Sequence, residues 1–542
     1  MRKIEGNIVD LFERKIFKGE ITIEDKKIVS ITPKDTTSEV YILPGLIDSH
    51  IHIESTMMIP SEFAKVAVKN GTIGVVTDPH EIANVLGEKG IDFMIKNSES
   101  TPLKAFYCVP SCVPATSFET SGATLDAEKI DHIFSKHGLK VLGEMMNYPG
   151  VIFNDEEVIK KLEVAKKYGA VIDGHAPQVT GDNLKKYHNA GISTDHECTN
   201  IDEAIEKINL GMKILIREGS AAQNFEALYP LISKFNKSVM FSTDDSHPDD
   251  LSKFGHINKI LKMGIKQNID IFDMLTAACI NPVLHYDLPI GLLRKKDFAD
   301  MIIVDDLKSF NILETIINGD TVYSNGRILF DSKNVKPINN FKAERISASD
   351  IKLLPKSDKI KVIEIVENEL ITNSLIEKAN IVDNNIVSDT SHDILKMVVL
   401  NRYEEHAKPQ VGFIKGFGIK EGAIATSIAH DSHNVIAVGA TDDDIIKAIN
   451  EVIDHKGGMC YVKGLDYYTL PLEFGGLMTQ QNCETVGNIY KQINHAVKSN
   501  GCNLKAPFMT LSFMSLLVIP SLKLGDKGLF DVTKFQMTDL FA

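Results

Sequence analysis

At 542 residues the chain is longer than one ordinary domain, so two or three are expected. Hydrophobic residues at 43%, charged residues at 24% and a net charge of -14 describe an acidic globular protein, and the lack of a basic run or basic–aromatic stripe excludes nucleic-acid binding as its main role. Seven scattered cysteines exclude a disulfide framework and point to a reducing, cytoplasmic setting, while no uncharged apolar stretch reaches the roughly 18 residues of a membrane span.

The N-terminus, "MRKIEGNIVDLFERK", carries charges every few residues and is not a signal peptide. Residues 1–43 alternate apolar and polar, with turn signals expected at Lys18-Gly19 and at Asp25-Lys26-Lys27, and read as a small antiparallel β-structure. From Pro44 the pattern changes to apolar strands alternating with amphipathic helices. Eight strand candidates follow, in "GLIDSHIH", "GTIGVVTDPH", "KAFYCVPSCVP", "LKVLGEMMN", "AVIDGHAP", "ISTDHE", "MKILIREGS" and "KSVMFSTDDSHP". Helices such as "DEEVIKKLEVAKKYG" and "NIDEAIEKINLG" lie between them. Eight strand–helix units over 44–290 are the size of a (β/α)8 barrel, an α/β fold. Residues 291–340 return to strand-and-turn grammar, with Asn325-Gly326 as a hairpin signal, and are expected to join 1–43 in one small β-sandwich-like domain. A C-terminal α+β domain is expected over 341–542, with "APFMTLSFMSLLVIP" as a buried core element.

The chemistry starts in "PGLIDSHIHIES". Side chains alternate along a strand, so His50 and His52 share a face, and Asp48 is expected on that face too. In a barrel the active site lies at the C-terminal strand ends. Glu144 ends "LKVLGE", His175 ends "AVIDGH", His196 follows "ISTD" and Asp244 ends "VMFSTD", so His or acid recurs at the same end of several strands. Four imidazoles and two carboxylates suffice for two divalent ions. The expected division gives one ion His50, His52 and Asp244, the other His175 and His196, with Glu144 as the bridge. Imidazole and carboxylate without thiolate suit Mn, Fe or Zn. A bound hydroxide would be the nucleophile, with Asp244 taking its proton. Each residue also has a structural alternative: a buried His as a satisfied core group, Glu144 as a salt-bridge or helix-start acid, Asp244 or Asp245 as a helix cap. Cys108 and Cys112, without a second pair for a zinc knuckle, read as small buried apolar residues.

"PGLIDSHIHIES" resembles the opening metal motif of the amidohydrolase superfamily. Together with "TDPHEIANVLG", "VPSCVPAT", "GEMMNYPGV", "REGSA", "STDDSHPDDL" and "AHDSHNVIAVG", it makes nearly the whole chain resemble the bacterial adenine deaminase family. The resemblance implies hydrolytic deamination of adenine to hypoxanthine and ammonia at a binuclear Mn2+ or Fe2+ centre, with Zn2+ possible. Homodimers or larger assemblies are common in that family. By the same analogy Asp244 shuttles protons and Asp245 meets the purine N7. Many superfamily members bridge their metals with a carboxylated lysine; here Glu144 stands at that strand end. Arg217, Glu218 and Ser220 of "REGSA" are candidate purine contacts, the alternative being a surface Arg–Glu pair opening a helix. His80 and Glu81 of "DPHE" are a candidate proton relay or, alternatively, helix-start groups. His430, Asp431 and His433 of "AHDSHN" fall in the C-terminal region, where a strand would put the two histidines on opposite faces, so a structural network or a lip is expected there. Two other functions fit the residues less well: a dihydropyrimidinase- or hydantoinase-like cyclic-amide hydrolase, and a non-catalytic metal-binding scaffold.

Overall fold

The computed structural model describes residues 1–542 except 221, 367 and 368. Ala221, the last residue of the "REGSA" run, therefore lies outside the described residues. The chain divides into two compact units.

The first unit comprises 1–80, 92–111 and 126–334. Its N-terminal residues form a meander of Arg2–Asp10, Lys15–Glu24 and Lys27–Pro33. Tyr41–Pro44 runs parallel to the first of these and antiparallel to Met301–Val304, so early and late segments share one eight-stranded sheet. Ile8, Ile21, Ile42, Met301 and Ile316 form its core. The expected turn at Lys18-Gly19 is instead continuous strand. The reversal falls at 11–14, where the Asp10 carboxylate accepts the Phe12 and Glu13 amides at 3.0 Å. Gly19 serves close packing, since a Cβ there would lie 2.7 Å from Ile8 and 2.9 Å from the Thr32 carbonyl. Asp25 and Lys26, both left-handed, make the next hairpin turn.

Eight further strands follow: β1 (Leu46–Ile51), β2 (Thr72–Thr77), β3 (Lys104–Tyr107), β4 (Val141–Met145), β5 (Val171–Gly174), β6 (Thr194–Asp195), β7 (Lys213–Arg217) and β8 (Val239–Ser242). β1–β2–β3, β4–β5 and β6–β7–β8 are parallel ladders. Single parallel bridges supply the remaining neighbours: Val109–Leu142, Ile172–Ile192 and Ile51–Asp244, the last setting the exit of β8 beside β1. Nearly continuous apolar burial along these strands is what parallel pairing covered by helices requires. Two of the helices between them start on side-chain caps: Asp155 for Glu156–Lys167 and Asn200 for Ile201–Asn209.

The second unit comprises 81–91, 112–125 and 335–542. Its eight-stranded sheet runs Thr372–Lys378, Lys359–Ile365, Gln410–Lys415, Ile394–Leu400, Val435–Gly439, Ala423–Thr426, Gly458–Lys463, Asp466–Pro471. The Thr441-capped helix Asp442–Asp454 packs Ile445, Ala448, Ile449 and Val452 against Ala425, Ala437 and Val462 of that sheet. "AHDSHN" occupies the connection between two antiparallel strands rather than a strand itself. Among the described residues no helix is long and apolar enough to cross a membrane.

Candidate metal centre

The strand exits of the first unit bring the expected donors together. His50 and His52 leave β1, and their Nε2 atoms lie 3.2 Å apart. The backbone fixes them to the exit of β8: Asp244 N donates to His50 O at 2.9 Å and His52 N donates to Asp244 O at 3.2 Å. Asp244 holds a left-handed φ of 55°, a conformation that a non-glycine residue keeps only when its surroundings over-determine it. This turns its carboxylate inward, with Oδ1 3.1 Å from His52 Nε2 and 3.7 Å from His50 Nε2.

Glu144, from β4, lies between two sets of imidazoles. Its Oε1 is 3.4 Å from His52 Nε2, whereas its Oε2 is 2.8 Å from His175 Nδ1 and 3.2 Å from His196 Nε2. His50 and His196 stack with ring centroids 4.3 Å apart. The donor atoms of His50, His52 and Glu144 all lie within 4.8 Å of one another, as do those of Glu144, His175 and His196 and those of His50, His196 and Asp244. All of these side chains are buried except His175, which is partly exposed.

Each orientation has a visible cause. His52 Nδ1 donates to the Asp78 carbonyl at 2.9 Å, which turns Nε2 toward Asp244 and Glu144. Asp78 Oδ2 accepts the Glu144 amide at 3.0 Å. Asp48 departs from expectation. The ladder of β1 slips between Asp48 and Ile51, and the Asp48 carboxylate accepts from His50 N, Thr243 N, Thr243 Oγ1 and His256 Nε2 instead of joining the donors. It ties β1 to β8 from behind the site.

Charge is concentrated here. Burial, together with the neighbouring His196 and His52, drives the His50 imidazole well below its usual range, so it is neutral. Burial alone would lower His196 as well, but hydrogen bonds to Glu144 and Glu197 raise it well above. Burial opposes ionisation of Asp244, and the Arg217 guanidinium overcomes it, holding that carboxyl well below its usual range.

Arg217 ends β7 with its guanidinium buried against the carboxylates of Asp244 and Glu197. Glu197 was not singled out from the sequence. Its Oε1 lies 3.3 Å from His196 Nε2 and 3.7 Å from His175 Nδ1, and its only signal was adjacency to His196 in "TDHE". Asp245 accepts from Ser55 Oγ at 2.5 Å. Glu218 turns toward Lys259 Nζ (3.2 Å) and the Phe225 amide (3.3 Å). Ser220 shapes the loop: its amide donates to Asp245 O at 2.7 Å and its Oγ accepts His247 N at 2.8 Å. His80 Nδ1 lies 3.6 Å from Glu144 Oε1 and 3.7 Å from Asp78 Oδ2.

Residues 41–322 match the amidohydrolase family, and residues 369–536 match the adenine deaminase C-terminal domain. Proteins named adenine deaminase from Methanosarcina mazei and Borreliella burgdorferi are 53% and 47% identical, over 100% and 99% of both chains respectively. The chain belongs to the adenine deaminase family of amidohydrolases. Among solved structures, a β-aspartyl dipeptidase from Fervidobacterium islandicum AW-1 aligns with a TM-score of 0.45 at 15% identity, covering 62% of this chain and all of its own. Membership in the family implies a divalent metal centre, and the clustered imidazole and carboxylate donors fit one by type and spacing.

Proposed function

We propose that this chain converts adenine and water to hypoxanthine and ammonia in a (β/α)8 barrel, at a binuclear centre that takes Mn2+ or Fe2+. The single observation that carries this is the division of donors across Glu144, one carboxyl oxygen facing His52 and the other facing His175 and His196. In this reading His50, His52 and Asp244 would hold one ion, His175 and His196 would hold the other, and Glu144 would serve both. Bound there, the pair would lower the pKa of water and stabilise charge developing at the purine C6.

The chain's own groups manage the protons. The water oxygen bonds to C6, the C6–amino bond breaks, and two protons must move, one to N1 and one to the leaving amine. Asp244, kept ionised by Arg217, is the group to accept the first proton and pass it on. Asp245, fixed by Ser55, is the candidate for the purine N7 edge. His80, beside Glu144, is the candidate relay to the ring. Arg217 acts through Asp244 and Glu197, whereas the contacts of Glu218 and Ser220 favour a loop-shaping role. The burial of all seven cysteines supports a reducing compartment.

The test is protein purified with Mn2+, mixed with adenine and followed by ultraviolet absorbance and ammonia release. Glu144→Gln should lose metal and deamination together, by at least about a hundredfold, as expected when a group that holds both ions is altered. Turnover of dihydrouracil but not adenine would overturn the substrate, and full activity at normal metal content in Glu144→Gln would overturn the bridge.

A further inference from the structure

The "AHDSHN" run lies in the second unit, which the deamination chemistry above does not use. Strand geometry would send His430 and His433 to opposite faces; the observed backbone does not. After Ala423–Thr426 the chain turns back on itself, with His433 N donating to Ala429 O at 2.6 Å and His433 left-handed at φ 54°. Both imidazoles consequently meet one carboxylate. His430 Nδ1 is 3.0 Å from Glu81 Oε1, and His433 Nε2 contacts Glu81 Oε2. Asp431 Oδ1 lies 3.7 Å from the same His430 nitrogen.

We propose that Glu81, His430 and His433 bind a divalent transition-metal ion within the second unit, with Asp431 alongside. Three features carry this. First, the donor set is two imidazoles and a carboxylate, a combination suited to Zn2+, Mn2+ or Fe2+. Donors at roughly 2.0–2.1 Å around a tetrahedral ion sit about 3.3 Å from one another, and His430 Nδ1 lies 3.0 Å from Glu81 Oε1 and 3.7 Å from Asp431 Oδ1. Second, the frame is rigid. Phe513 stacks on the His430 ring with centroids 4.5 Å apart; Tyr403 Oη donates to Ser432 O at 2.5 Å, and Arg402 Nη1 donates to His433 O at 3.3 Å. Third, the cluster is buried. Glu81, Asp431, His430 and His433 are all at least 95% buried. Asp431 Oδ2 and His433 Nδ1 make no hydrogen bond among the described residues. The adjacent Arg402 directs its guanidinium to the carbonyls of Asn340, His433 and Gly475 and to Asn339 rather than to these carboxylates.

The experiment counts metal by mass spectrometry after growth with Zn2+ or Mn2+, comparing Glu144→Gln with the double variant Glu144→Gln/His433→Ala. Because both carry the first-unit substitution, their difference is independent of how many ions Glu144 holds. One equivalent is expected to disappear with His433. Should the double variant fail to fold, wild-type crystals soaked in Zn2+ are measured at the zinc absorption edge, where an anomalous peak bonded to Glu81, His430 and His433 is expected. Equal metal content in the two folded variants, or no peak at this cluster, would leave a hydrogen-bonded structural network and overturn the proposal.

Discussion

Gly143 precedes Glu144 on β4, and a Cβ there would collide with the Asp78 carboxylate. The missing side chain lets Asp78 lie against the strand and accept the Glu144 amide. Gly143→Ala is therefore expected to displace both acids. Deamination should fall by at least tenfold and metal content should drop, measured on protein whose circular dichroism is unchanged; retained metal and activity would show that Asp78 can move without consequence. Single residues differ in how readily the sequence reveals them. His50, His52, His175 and Asp244 could be found because each ends an apolar run, so position on a strand gives direction. Glu197 follows a two-residue strand and belongs to no such run, and its approach to His175 depends on a turn that no periodicity encodes. Asp48 misleads for the opposite reason: strict alternation puts it with the histidines, whereas the slip in β1 turns it to Thr243 and His256.

At the scale of elements, the helix Ile201–Asn209 carries a device for holding two loops at once. Lys207, fully buried, donates to Asp195 Oδ2 at 3.0 Å, Glu203 Oε1 at 2.7 Å and the Ala176 carbonyl at 2.7 Å. Asp195 in turn accepts the amides of Ala176 and Glu197. Ala176 follows His175, and Asp195 precedes His196, so one ammonium fixes both imidazole-bearing exits. Removing a single partner of a buried ion cluster leaves charge uncompensated and costs about 3–5 kcal/mol. Lys207→Met should accordingly lower the melting temperature and weaken the ion proposed at His175 and His196 more than that proposed at His50 and His52, read as sequential metal loss on titration with a chelator. Simultaneous, wild-type-like loss of both would confine Lys207 to stability. In the second unit the hairpin strand Leu522–Gly525 buries Lys523, whose ammonium donates to the Leu370 and Phe513 carbonyls. Burial pushes it down to about 7 from its ordinary 10.5. Between those values the unfolded chain binds more protons than the native one, so this lysine makes stability rise with pH, by at most about 1.4 kcal/mol per unit. Lys523→Met should flatten the rise in urea midpoint between pH 7 and 9; an unchanged slope would mean that the folded ammonium titrates normally. The capped helices were legible because Asp155, Asn200 and Thr441 stand directly before amphipathic runs. The Lys18-Gly19 turn was misread because glycine also serves where two strands pack closely.

For the whole molecule, alternating strand and helix grammar over 44–290 made the parallel strands visible, while the pairing of residues 41–44 with 301–304 is set by contacts some 260 residues apart that no local pattern carries. The same is true of the second unit, which recruits 81–91 and 112–125 from far upstream. In the first unit, His50, His52, His175 and His196 crowd two carboxylates. Cations that bind this arrangement only when it is folded stabilise the folded state by mass action, by about 2.7 kcal/mol for each ion at a hundredfold excess over its dissociation constant. In a body of some two to three hundred residues that corresponds to roughly 5–10 °C per ion. Dialysis against a chelator should therefore lower the melting temperature by at least that much, and re-addition of Mn2+ should restore it. Glu144→Gln, in which the proposed bridge is weakened, should lose fewer degrees on chelation than the wild type. If wild type and Glu144→Gln instead lose the same number of degrees on chelation, the stabilising ions are bound somewhere other than Glu144.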